Sequence, residues 1–302
     1  MDRQRRLLVT GAGGFLGWTL CPLAARDWQV WGTYHRQPLK IPQTRLLRVD
    51  LTDPDQLQAC FDQVRPDAVL HLAALSRPND CELNPDYSYQ VNVAASWRLA
   101  DLCGAAGIPL VFTSSELVFD GRNPPYTETS PVCPLNRYGE HKVLAELGMG
   151  DRYPLATIAR MPLMFGVASP QSESFLQPFL RQLRAGQPLR LFTDEIRMPV
   201  SAIVAASGLL LLLNHPGELF NLGGRDRLSR YDFGQLLTDV FNLSPALLSP
   251  CLQADVPMAA PRARDLTLDS SKAFALGYDP PTVRSQLAQL TSFSSMSDTP
   301  FP

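Results

Sequence analysis

The chain has 302 residues, 27 Lys plus Arg against 29 Asp plus Glu, and a formal net charge of -2. That balance leaves no cationic footprint for nucleic acid or an anionic membrane and points to small-molecule chemistry. The length suffices for a large core, as one α/β unit or as two lobes. Six cysteines, Cys21, Cys60, Cys81, Cys103, Cys133 and Cys251, are scattered without a Cys-x-x-Cys pair. No metal site and no disulfide framework is expected.

In chain order, the first element is "LLVTGAGGFLG", Leu7 to Gly17. Leu7, Leu8 and Val9 read as a strand buried on both faces, and a helix starts at Phe15. Between them Gly11, Gly14 and Gly17 fall at Gly-x-x-Gly-x-x-Gly spacing, which lets backbone approach a pyrophosphate at the positive end of the helix. Met1 to Arg6 is basic and an apolar stretch follows, in the manner of a secretory signal, but the glycines interrupt it and favour a loop. Further on come "WQVWGTY" and "LLRVD" as strands, "DPDQLQACFDQV" as a helix, "DAVLHLAA" as a strand, "YQVNVAASWRLADLCGAAG" as a helix and "PLVFTSS" as a strand. This alternation predicts an α/β fold with a doubly wound parallel sheet. Ligands bind such sheets beyond the carboxyl ends of the strands, so the informative residues are Gly11 to Gly17 with Phe15 and Leu16, then Asp50 and Leu51, Ala73 and Ala74, Ser114 and Ser115. The apolar run from Val200 to Leu213 is shorter than the roughly 20 residues needed to cross a bilayer and reads as a buried helix. A soluble, cytoplasmic protein is expected.

The end of the second strand discriminates between cofactors. From Trp28 to Val49 there is no acidic residue to accept from a ribose 2′-hydroxyl, and the window holds Tyr34, His35, Arg36 and Lys40. A 2′-phosphate calls for a cation there. The reading is NADP(H) rather than NAD(H), with Arg36 as the phosphate partner.

"NRYGEHKVLAE" places Tyr138 and Lys142 four apart, on one face of a helix. The only lysines are Lys40, Lys142 and Lys272, so chance supplies this spacing rarely. An ammonium beside a phenol favours the phenolate, which predicts a lowered pKa for Tyr138 and proton exchange near neutral pH.

The stretches "TGAGGFLG", "DLTDPDQL", "PDAVLHLAA", "NPDYSYQVNVAAS", "TSSELVFDGRNPPYTETSPVCPLNRYGEHKVLAE", "FNLGG" and "RDLTLDSSKAFALGY" resemble the extended short-chain dehydrogenase/reductase family, and more closely its dTDP-4-dehydrorhamnose reductase-like branch. The resemblance implies a Rossmann sheet with a smaller, mainly C-terminal substrate-binding lobe. It implies a nucleotide-binding domain over 1–160 that regains chain around 198–222, a substrate lobe from 161–197 and 223–290, and a flexible tail at 291–302. Ser115, Tyr138 and Lys142 are implied as the catalytic trio, and a nucleotide sugar as substrate. Tyr138 would protonate a ketone oxygen, Ser115 would hydrogen-bond it, and Lys142 would hold ribose hydroxyls of the cofactor. Glu116, Arg197 and Arg262 are the substrate-side candidates. Related dehydratases place two carboxylates after the catalytic hydroxyl, whereas Glu116 is followed by Leu117, which counts against dehydration. A nucleotide-sugar epimerase remains an alternative, as does a non-catalytic NADP-binding subunit of the kind that partners methionine adenosyltransferase. No metal, nucleic acid or membrane partner is expected, and a homodimer is left open.

Overall fold

The computed structural model describes residues 4–37, 39–167 and 169–296, with side chains as far as Thr291. Its first half runs β1 (Arg6–Thr10), α1 (Phe15–Ala24), β2 (Gln29–Tyr34), β3 (Thr44–Arg48), α2 (Pro54–Val64) and β4 (Ala68–His71). Then follow α3 (Pro78–Leu83), α4 (Pro85–Tyr89), α5 (Ala95–Ala106), β5 (Leu110–Ser115), α6 (Arg137–Arg152) and β6 (Ala156–Met161). The second half holds β7 (Met164–Phe165), α7 (Leu176–Arg184), β8 (Leu189–Phe192), β9 (Ile196–Arg197), β10 (Val200–Ser201), α8 (Ala202–Leu212) and β11 (Leu219–Asn221). It ends with β12 (Leu228–Ser229), α9 (Arg230–Val240), β13 (Leu248–Cys251), α10 (Ser271–Ala275) and α11 (Val283–Met296).

Seven parallel strands form the main sheet in the order β11-β6-β5-β4-β1-β2-β3. The order reverses between β1 and β4, which opens a crevice at their carboxyl ends. Alternation along β1 explains the layers. Leu7 and Val9 face a core shared with Leu16, Leu20, Leu209 and Leu212, while Leu8 faces Phe61, Leu99, Phe112 and Met149 on the other side. The apolar segment near residue 200 is therefore α8, packed against α1 and the sheet. Among the described residues no helix is long and apolar enough to cross a membrane.

A separate core gathers Phe165, Leu176, Leu180, Leu191, Phe233, Leu237 and Leu287 around α7, β8, α9 and α11. The segment read as one helix over 89–107 is instead α4, a π-helical turn at Gln90–Ala94, and α5. The wider turn carries Asn92, which is buried, accepts from the Leu75 amide at 2.8 Å and donates to the Leu75 carbonyl at 3.0 Å. It thereby fixes the chain leaving β4. Backbone of α11 continues through residues 291–296, the start of the segment expected as a tail, and 297–302 lie outside the described residues.

Candidate active site

At the switch point the glycines make room for a ligand. Gly11 has φ +71°, and a Cβ there would lie 2.8 Å from the Ala73 Cα, so only glycine lets β1 and β4 end side by side. A Cβ on Gly17 would overlap the Gly11 carbonyl and Ala12, so α1 could not start where it does. The result is a cavity of about 580 Å³ lined at one end by Gly11, Gly14, Phe15, Leu16 and Gly17, with Asp50, Leu51, Ala73 and Ala74 beside them. The opposite end is lined by Ser115, Glu116, Tyr138, Lys142 and Arg262. Narrow backbone at a helix N-terminus, an apolar flank and a polar far end fit a dinucleotide lying across the sheet.

Local structure explains how Tyr138 reaches Ser115. Asn136 caps α6, accepting from the Gly139 amide at 3.0 Å and donating to the Pro261 carbonyl at 3.0 Å. A Cβ on Gly139 would collide with the Leu117 carbonyl, so glycine allows α6 to press on the turn after β5. Ser115 and Tyr138 both line the cavity there, Ser115 near enough to act on the phenol's pKa, and the Ser115 Oγ accepts from the Leu117 amide at 3.2 Å. Lys142, almost wholly buried, donates from Nζ to the Thr113 carbonyl at 2.7 Å and lies 4.5 Å from the Phe112 ring centroid and 5.7 Å from that of Tyr138. Burial pushes Lys142 down to about 7, against the pull of Glu146.

One electrostatic expectation is reversed. Tyr138 is raised above the usual phenol range, first by burial and then by Cys81 and Glu116, with only the Ser115 hydrogen bond opposing. The Lys142 ammonium points at a backbone carbonyl and does not offset the loss of water around the phenol.

The cation near the second strand also differs in place. Arg36 is exposed and off the cavity wall, whereas His35 lines it and sets Nε2 3.4 Å from Asp50 Oδ2. Asp50 is lowered by its hydrogen bond from Thr52 and further by His35.

Arg197 does not line the cavity. Its guanidinium is 3.2 Å from Glu116 and 3.7 Å from Glu195, and it donates to the Ala263 carbonyl at 3.0 Å, which leaves no fork for a substrate. Arg262 does line the cavity, and its buried Nε has no hydrogen-bond partner among the described residues. Glu116 is buried, with Oε2 likewise unpartnered, and its carboxyl is pushed up to about 8 by burial, opposed by Arg197.

Three features escaped the sequence. Glu195 and Arg230 complete the buried charges around Arg197, with Arg230 3.9 Å from Glu195 and 3.8 Å over the Phe175 ring. A strap from the second half crosses the glycine loop, where Ser169 donates to the Gly13 carbonyl at 2.9 Å and Gln171 to the Gln37 carbonyl at 2.8 Å. Glu146 and Arg160 form a buried pair at 2.8 Å behind the site. Only Glu146 carried any signal, since it follows Lys142 by four residues on α6.

A doubly wound sheet whose switch-point cavity joins a glycine loop to a Ser, Tyr and Lys trio defines a protein of the extended short-chain dehydrogenase/reductase class. The family model described as the RmlD substrate binding domain matches residues 5–295. A probable low-salt glycan biosynthesis reductase of Haloferax volcanii is 31% identical over 296 residues, covering 96% of this chain and 98% of that protein. Methionine adenosyltransferase 2 subunit beta of Rattus norvegicus is 28% identical over 282 residues, covering 91% and 83%. A dTDP-4-dehydrorhamnose reductase structure from Bacillus anthracis, in complex with NADP, superposes with a TM-score of 0.86 at 20% identity, covering 96% of this chain and 100% of that one. At that identity the likeness is one of fold. The chain belongs to the RmlD substrate binding domain family.

Proposed function

We propose that this protein reduces a 4-keto nucleotide sugar with NADPH. The observation that carries the reading is the meeting of Ser115, Tyr138 and Lys142 at the wall of the cavity that the glycine loop also lines. Backbone of Gly11 and Gly14 to Gly17 would hold the diphosphate, and Asp50 and Leu51 the adenine end. Arg36, with His35 beside it, would meet the 2′-phosphate. The dinucleotide, when bound, supplies the hydride.

The chain's own residues manage charge and protons. Negative charge that develops on the ketone oxygen is met by the Ser115 O–H, and the Tyr138 O–H gives up its proton to that oxygen. A phenol raised by burial keeps its proton until a strong base such as an alkoxide forms. Lys142 would hold ribose hydroxyls and balance the phenolate that remains. Arg262, with its free buried Nε, would meet the substrate diphosphate, and Glu116 would line the sugar pocket. Arg197 serves this site by holding Glu116 rather than by touching substrate.

The 28% likeness to a methionine adenosyltransferase subunit favours one second reading, a regulatory subunit that binds NADP without turnover. NADPH consumption with a panel of 4-keto nucleotide sugars separates the two. Reduction supports the enzyme, and tight NADPH binding with no reduction supports the subunit. Inverted sugar without net NADPH loss points to an epimerase.

A further inference from the structure

Lys142 is short of partners. The described hydrogen bond from its ammonium goes to the Thr113 carbonyl, the ring centroids of Phe112 and Tyr138 lie 4.5 and 5.7 Å away, and the residue also lines the cavity. An ammonium has three donors and sheds much hydration on burial, so one carbonyl leaves it poorly compensated. The titratable groups that face it are Cys81 on α3, His71 on β4, and Tyr138 and Glu146 on α6. His71 gives no help, because burial and the nearby ammonium hold it neutral, lowered to about 3. Among these groups Glu146 is the carboxylate, one helical turn beyond Lys142 on the same face.

Glu146 is itself fixed. The Ser114 hydroxyl donates to Oε1, Arg160 Nε donates to Oε1 at 3.1 Å, and Arg160 Nη2 donates to Oε2 at 2.8 Å. Arg160 is in turn held by the Glu128 carbonyl at 3.4 Å and lies 5.0 Å from the Phe119 ring centroid. Neither Glu146 nor Arg160 lines the cavity, so neither is a substrate contact. Ser114, however, directly precedes Ser115 on β5. The carboxylate therefore grips the strand end that carries Ser115 and comes from the same face of α6 as Lys142, one helical turn away.

We propose that Glu146, clamped by Arg160 and Ser114, is a positioning residue that keeps Lys142 protonated and holds the end of β5 in place. The inference rests on the reading of Lys142 as a cofactor-holding cation. Its sign is fixed by electrostatics, since removing the carboxylate leaves Arg160 and Lys142 as two buried cations, and the neutral lysine takes over at lower pH.

The test compares wild type with Glu146→Gln, measuring NADPH affinity by fluorescence titration from pH 6 to pH 9, alongside kcat/KM for reduction. NADH, which has no 2′-phosphate to titrate, serves as the control ligand. The other titrating groups of the cavity are common to both proteins and cancel in the comparison. The alkaline limb of the binding profile should move to lower pH by about one unit or more, the size of shift a nearby charge produces. At pH 8 affinity should fall by about tenfold or more, and at pH 6 by less than about threefold. Loss by the same factor at every pH would mean a packing role and would overturn the proposal, as would no change at all. If Glu146→Gln does not fold by circular dichroism, Glu146→Gln/Arg160→Met removes the unpaired guanidinium along with the carboxylate, and its alkaline limb should still lie below that of wild type, by less than the full displacement; a limb at the wild-type position in that variant would overturn the proposal. The binding readout also separates this inference from the proposed reaction. If wild type binds NADPH but reduces no ketone, the reaction fails while the limb still tests Glu146.

Discussion

Tyr138→Phe is the substitution that divides binding from chemistry. The side chain is 8% exposed and its ring lies beneath the Lys142 ammonium, so phenylalanine keeps the packing and the ring contact. What is lost is the hydroxyl, with whatever hydrogen bonding it has on the side of Ser115. A net hydrogen bond is worth about 1 kcal/mol, so the variant should fold and bind NADPH within a few-fold of wild type. Proton donation is another matter. General acid catalysis supplies about 10²- to 10⁴-fold, so ketone reduction should fall by at least about 100-fold, or roughly 2.7 kcal/mol of barrier. Ser115→Ala removes one donor to the developing oxyanion and should cost on the order of 10²-fold with binding again intact. Stopped-flow NADPH oxidation at saturating cofactor reads the chemical step, and fluorescence titration reads affinity. A Tyr138→Phe protein that reduces the ketone at the wild-type rate would refute the role given to the phenol. The same result would remove the reason for its contact with Ser115.

The remaining predictions concern cofactor choice, reaction type and pH. NADPH should bind at least about tenfold more tightly than NADH, about 1.4 kcal/mol, and Arg36→Ala should erase most of that gap. Equal affinities in wild type would sink the assignment, and a gap that survives Arg36→Ala but not His35→Ala would move it to His35, which lines the cavity. With Leu117 where a second carboxylate would stand, the protein should not convert a nucleotide-linked hexose into its 4-keto-6-deoxy form; mass spectrometry showing loss of water at enzymatic rates would contradict this. Burial raises Glu116 from 4.5 to about 8, so the folded chain holds an extra proton in that window. The stability from Glu116 is full at low pH and lost as pH rises through about 8. Glu116→Gln should flatten this dependence of Tm, and an unchanged slope would count against it.

The sheet was legible because its signals are local. Leu7 to Val9 are apolar on successive residues because both faces of β1 are covered. Gly11 must be glycine because β4 runs alongside, and that need shows in the sequence as spacing. Tyr138 and Lys142 were legible for the same reason, as four residues make one helical turn. What spacing cannot carry is environment. The sequence placed a cation beside Tyr138 but could not show that both groups are buried, which reversed the direction of the phenol's shift. Arg197 read as a substrate contact because its partners Glu116 and Glu195 come from β5's exit and the loop before β9, a pairing that exists only once the chain is folded. The π-helical turn was invisible too, since its apolar pattern is that of any helix, while its purpose lies in where it aims Asn92.

Arg197 joins the two halves of the site, which bears on how the reaction is controlled. Glu116 follows Ser115 directly, at the exit of the strand that delivers the catalytic hydroxyl. Its partner Arg197 stands on β9, beside Arg264 and Ala263, whose carbonyls it also binds, and Arg262 precedes them by one residue. Arg262, which lines the cavity, and Ser115, which lines it too, are thus linked through the buried contact of Arg197 with Glu116. Burying a guanidinium with a carboxyl is costly in desolvation, and a well-packed apolar pair would hold the chain as firmly. The polar contact does something an apolar pair cannot, because a guanidinium and a carboxyl oxygen meet in a directional geometry. On the proposed function, Arg197 would fix the distance between a diphosphate held at Arg262 and an oxygen polarised at Ser115. Substrate selection would then depend on the separation of those two groups, and a nucleotide sugar of the wrong reach would be held by one end without presenting a ketone to Tyr138; equal kcat/KM for 4-keto sugars on nucleoside mono- and diphosphates would refute this.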